Sequence, residues 1–82
     1  MYLNNNPNHR VIEHKGTVQL YSYGKFIAAV DNQKLIKISP LWNYSKTNLR
    51  YFNLFLRECG LTKLALLTAN QKEAVFEQLD LI

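Results

Sequence analysis

The sequence predicts a small α+β domain: a three-stranded antiparallel sheet followed by two packed helices. Three observations predict it. Residues 17–39 alternate apolar and polar side chains at the period of a strand and are cut by short turns. Residues 45–59 carry an apolar stripe at helical spacing between a Ser and a Gly. A Thr68-Ala69-Asn70-Gln71 capping box opens a second helix. Strands first and helices after is the α+β order. With 82 residues there is room for one core, and a chain this short buries roughly 60–65% of its unfolded surface.

Residues 1–9 are Asn-rich and read as a flexible polar tail, leaving residues 10–82 as one domain. Residues 10–15 are a candidate fourth, N-terminal strand, which Gly16 ends. In residues 17–23, Val18 and Leu20 point one way and Thr17, Gln19 and Tyr21 the other. Tyr23-Gly24 supplies a tight turn, because Gly tolerates positive φ. Residues 25–30 alternate with Phe26, Ala28 and Val30 on one face and Ile27 and Ala29 on the other. Both faces are apolar, which predicts a central strand. Asp31-Asn32-Gln33 is the next turn. Residues 34–39 form the third strand, with Ile36 and Ile38 toward the core, and Pro40 ends it because it has no amide to donate.

Ser45 is the expected N-cap of the first helix and Gly60 its left-handed stop. Leu49, Phe52, Leu56 and Cys59 form its buried stripe, with Phe55 beside them. Residues 61–67 fit a short helix, a strand or a packed connection. The second helix runs over residues 69–79, burying Val75, Phe76 and Leu79, with Lys72, Glu73 and Glu77 outward.

Charge is unevenly placed. The chain carries +4 in total. Residues 1–57 hold eight cations and two carboxylates, a net of +6, and residues 58–82 hold two cations and four carboxylates, a net of −2. A basic front predicts a polyanion-facing or acidic-protein-facing surface, against the plainer alternative of solubilising charge. Cys59 is the only cysteine, which fits a reducing compartment. The N-terminus lacks the basic and apolar regions of a signal peptide, and no apolar run approaches the ~20 residues a bilayer needs. A cytoplasmic protein with no membrane partner is therefore expected.

Two segments carry a family resemblance. One is Tyr21-Ser22-Tyr23 with Ile27-Ala28, Asp31-Asn32 and Lys34. The other is Trp42-Asn43-Tyr44-Ser45-Lys46-Thr47 leading into Asn53, Phe55 and Leu56, with Gln71-Lys72-Glu73 further on. Together, over roughly residues 17–78, they resemble a small uncharacterised domain of bacteriophages and mobile elements of Gram-positive bacteria. The chain departs from that pattern at Asn48, where the family has a second Thr, and at Tyr51 or Phe52, where it has a His. The resemblance implies a phage or plasmid accessory protein and brings no activity with it.

Catalytic chemistry finds little support. His9 and His14 lie near Glu13, but a metal site needs three or four convergent ligands, and an exposed or partly packed role suits both better. Cys59 ends a helix, where the dipole disfavours a thiolate. Gly16, Gly24 and Gly60 are isolated, so no phosphate-cradling loop exists. No enzyme, cofactor, metal or small-molecule substrate is expected.

Binding residues are easier to nominate. Lys46, Arg50, Asn53 and Arg57 recur on one helix face. Tyr21, Tyr23 and Lys25 are a second candidate set on the outward face of the sheet, where Tyr can stack a base or anchor a protein. Trp42 and Tyr44 flank a helix N-terminus where an aromatic could serve a ligand, but Trp42 is expected to plug the core and Ser45 simply to cap the helix. Two functions follow as expectations. The first is a non-enzymatic phage or mobile-element protein that binds and inhibits a host protein complex, of anti-CRISPR type. The second is a small nucleic-acid-binding protein that uses Lys46, Arg50 and Arg57.

Overall fold

A computed structural model describes residues 3–81. Four strands form one antiparallel sheet in chain order: β1 (His9–His14), β2 (Thr17–Ser22), β3 (Lys25–Asp31) and β4 (Lys34–Ile38). The candidate N-terminal strand is thus a full member, pairing His9 with Ser22 through to His14 with Thr17. Each hairpin turns on two residues at positive φ: Lys15-Gly16, Tyr23-Gly24 and Asn32-Gln33. That is the backbone whose twist matches the flanking strands.

Two irregularities break the simple alternation. Tyr21 pairs with Phe26 while Leu20 pairs with Ala28, so the register slips by one residue at Ile27. Ile27 and Ala28 both enter the core, and Phe26 lies against Tyr21 outside it. The predicted face of Phe26, Ala28 and Val30 is corrected accordingly. A second slip falls at Ile36, since Val30 pairs with Leu35 and Ala29 with Lys37. Ile38 is in the core as expected, but Leu35 packs on the core and Ile36 is exposed, against the expectation for Ile36. A bulge re-aims side chains in this way.

After β4, a 3-10 turn (Pro40–Asn43) leads to α1 (Lys46–Glu58), α2 (Thr62–Ala65) and α3 (Ala69–Gln78). Ser45 Oγ accepts from the Asn48 amide at 3.1 Å, the predicted cap. The far end closes as a Schellman motif: the Gly60 amide donates to Arg57 and the Leu61 amide to Leu56, with Gly60 at φ 82°. Residues 61–67 resolve into the short helix α2. The capping box forms in both directions, with the Gln71 amide donating to Thr68 Oγ1 and the Thr68 amide to Gln71 Oε1.

The core lies between one sheet face and the helices. α1 buries Tyr51, Phe52, Phe55 and Leu56, while Leu49 and Cys59 are only half-buried. The inward stripe is therefore rotated from the predicted one and includes Tyr51. Trp42 plugs the core as expected, edge-on to Phe76 at 5.0 Å and tilted against Phe52 at 5.5 Å.

Two expectations about burial fail. Leu3, in a 3-10 turn over Leu3–Asn5, is buried in the same core, and Asn6 Nδ2 donates to the Tyr51 hydroxyl at 3.1 Å. On α3, Lys72 points inward and is 1% exposed, and Leu79, just past the end of the helix, is exposed. The Lys72 ammonium donates to the Ala65 carbonyl at 3.1 Å and to the Leu67 carbonyl. It satisfies the C-terminal end of α2, where cations are favoured. Burial, and then the nearby Arg57 charge, push the Lys72 amine down.

Candidate functional site

α1 presents the predicted basic face. Lys46, Arg50, Asn53 and Arg57 line one shallow depression of about 340 Å³ around Leu49. The three cations are exposed and the lining holds no carboxylate. The spacing of 4, 3 and 4 residues explains their shared direction. Arg50 extends past Tyr51, its guanidinium 6.0 Å from the ring centre. Asn53 Oδ1 is buried there without a hydrogen-bond partner among the described residues. A uniform positive depression attracts anions, and repulsion among its own charges is relieved when one arrives.

The second predicted set divides. Tyr21 lies on the open sheet face, its hydroxyl donating to Gln19 Oε1 at 2.8 Å. Tyr23 and Lys25 sit instead at the sheet's end, lining a cleft of about 310 Å³ with Ser22, Leu41, Tyr44, Ser45 and Asn48. The separation follows from geometry: Lys25 pairs with Ser22, which faces the helices, while Tyr21 faces away. Tyr23 and Tyr44 are strongly exposed at the mouth of the cleft.

Behind that cleft is a polar chain that the sequence does not reveal. His9 is fully buried, stacked on Tyr51 at 3.7 Å and met edge-on by Tyr23 at 5.5 Å. Ser22 Oγ donates to Asn48 Oδ1 at 3.1 Å, and Asn48 Nδ2 donates to the Leu41 carbonyl at 3.3 Å. Because the Ser22 proton is committed to Asn48, His9 Nδ1 is the donor in its 3.2 Å bond to Ser22 Oγ. Its Nε2 is then a buried lone pair without a partner among the described residues. Burial pushes the His9 imidazole down, which favours this neutral form.

Cys59 lines a cavity of about 350 Å³ with Glu13, Glu58 and apolar residues of the sheet. Burial, and then Glu58, push its thiol up, away from thiolate. Among the described residues no three His, Cys, Asp or Glu side chains gather as metal ligands, and no helix is long and apolar enough to cross a membrane.

A family model described as a family of unknown function, DUF8033, matches residues 2–76. The chain belongs to this family. No curated protein and no solved structure matches the chain. Membership in DUF8033 spans the whole sheet, α1 and most of α3, so both candidate surfaces lie inside the family domain.

Proposed function

We propose that this DUF8033 domain is a small non-enzymatic binding protein whose partner is a nucleic acid, gripped through its phosphates by α1. The observation that carries the reading is the carboxylate-free depression shared by Lys46, Arg50, Asn53 and Arg57. Phosphate contacts from exposed cations supply most of the sequence-independent affinity for nucleic acids. The concentration of positive charge in residues 1–57 points the same way.

A second reading has its own support. Tyr23 and Tyr44 stand exposed around the cleft beside Lys25, and Tyr is enriched at protein-binding hot spots. On this reading the protein belongs to a phage or mobile element and inhibits a host protein complex, as anti-defence proteins do, a setting supported by the resemblance. Affinity capture from a bacterial lysate, with and without nuclease, separates the two. Loss of the captured material on nuclease treatment is the expected result, and a protein partner retained after nuclease favours the second reading.

A further inference from the structure

On the sheet face turned away from the helices, Tyr21 and Phe26 are half-buried and Arg10 and Lys37 are exposed. The centre of this face is aromatic: Tyr21 on β2 and Phe26 on β3 are cross-strand partners, centroids 5.8 Å apart and 74° between planes. Neither ring belongs to the core. Phe26 is there only because of the register slip at Ile27; unbroken alternation would have sent it inward with Ala28 and Val30.

Cations frame this pair. Arg10 lies opposite Tyr21 on β1, and Lys37 Nζ is 5.6 Å from the Phe26 ring centre. Gln19, held by the Tyr21 hydroxyl on the same strand, adds an amide beside the rings. The carboxylate on this face among the described residues is Asp31, at the far end and paired with Lys34. Two rings on central strands, flanked by cations, match a ligand that is flat and apolar in its bases and anionic in its backbone.

We propose that this face is a stacking platform for unpaired bases of a single-stranded nucleic acid, with Tyr21 and Phe26 as the platform and Arg10 and Lys37 as the phosphate contacts. Charge selects this occupant over a second copy of the chain, because self-pairing of the face would set Arg10 and Lys37 against their own kind. A duplex hides its bases in the stack and offers nothing to the two rings. The surface lies opposite α1 and does not depend on the depression there.

The test is a titration of fluorescein-labelled oligothymidylate of about 12 nucleotides, a length within the usual site sizes for such surfaces. The paired substitutions Tyr21→Leu and Phe26→Leu keep apolar bulk but remove the stacking faces. They are expected to weaken binding about tenfold or more, as base–aromatic stacking implies. Duplex DNA of the same length is expected to bind the pair of substitutions and the natural chain equally. Amide chemical-shift mapping of the unsubstituted protein with the same strand gives an independent readout. Shifts centred on Gln19, Tyr21, Phe26 and Lys37 support the platform. Shifts confined to α1, unchanged affinity in the folded double variant, or no binding of the strand at all would each overturn it. The first two of these results leave the α1 reading standing, whereas the double reversal Arg50→Glu with Arg57→Glu tests α1 alone.

Discussion

Asn48→Ala tests how the cleft end of the fold is held together. Asn48 joins three elements: its Oδ1 accepts from Ser22 on β2, and its Nδ2 donates to Leu41 in the 3-10 turn while its own backbone begins α1. Truncation leaves the buried Ser22 hydroxyl without its acceptor, a loss of about 1–3 kcal/mol. The half-buried Leu41 carbonyl adds about 0.5–1 kcal/mol, since water can partly replace the amide. Ala is the better helix former by roughly 0.5 kcal/mol, which offsets part of this. The cap from Ser45 survives, because it uses the backbone amide. The net expectation is about 1–3.5 kcal/mol, or a Tm lower by roughly 4–28 °C in a domain of this size. Thermal denaturation by circular dichroism reads it directly. The double-mutant cycle with Ser22→Ala should show a coupling of at least ~0.5 kcal/mol. Additive losses, or a loss from Asn48→Ala below about 0.5 kcal/mol, would refute the bridge.

Further outcomes follow from burial and backbone conformation. Phe52→Ala, at a fully buried site between Trp42 and Phe76, should cost about 3–5 kcal/mol by urea unfolding; a cost under 1 kcal/mol would contradict the packing. Lys72→Ala should cost about 2–4 kcal/mol by leaving the Ala65 and Leu67 carbonyls unpaired around a void, whereas Glu73→Ala on the outer face should stay within about 0.5 kcal/mol. Lys15 sits at φ 51° in a two-residue turn where Asn is preferred, so Lys15→Asn should raise the Tm by several degrees, a gain of roughly 0.5–1 kcal/mol. His9 has its protonated form disfavoured in the fold, so the unfolded chain binds the proton more readily. Its contribution to stability is therefore full above the unfolded value of about 6.5 and falls away as pH drops from there toward the lower folded value. Urea midpoints across pH 5–8 should show that loss in the natural chain and a flatter profile in His9→Phe; identical profiles would place the pH dependence elsewhere.

Legibility in the sequence followed locality. The turns, caps and stops are written in consecutive residues, and Ser45, Gly60 and the Thr68–Gln71 box all do what their types predict. The basic face of α1 was legible for the same reason, because helical spacing alone aligns Lys46, Arg50, Asn53 and Arg57. What escaped depends on pairing between distant segments. Strict alternation assigns Phe26 inward and Ile36 to the core; only cross-strand register places the slips that turn both outward. Lys72 looks like a solvent residue beside Glu73, and its burial follows from two carbonyls, one at the end of α2 and one in the connection after it. His9 and Leu3 lie in a polar run, and nothing local announces that Tyr51, 42 residues beyond His9, will stack on the imidazole.

The most direct measurement of the central claim is a salt-dependent binding titration of a labelled nucleic acid with the natural chain and with Arg50→Glu, Arg57→Glu. Both side chains are exposed, so the fold and its melting temperature should be unchanged. Each lost phosphate contact lowers the slope of log K against log salt by roughly 0.7–0.9, so the double variant should bind more weakly with a slope smaller by about 1.4–1.8. A folded double variant with the affinity and salt slope of the natural chain would contradict the claim that α1 grips nucleic acid.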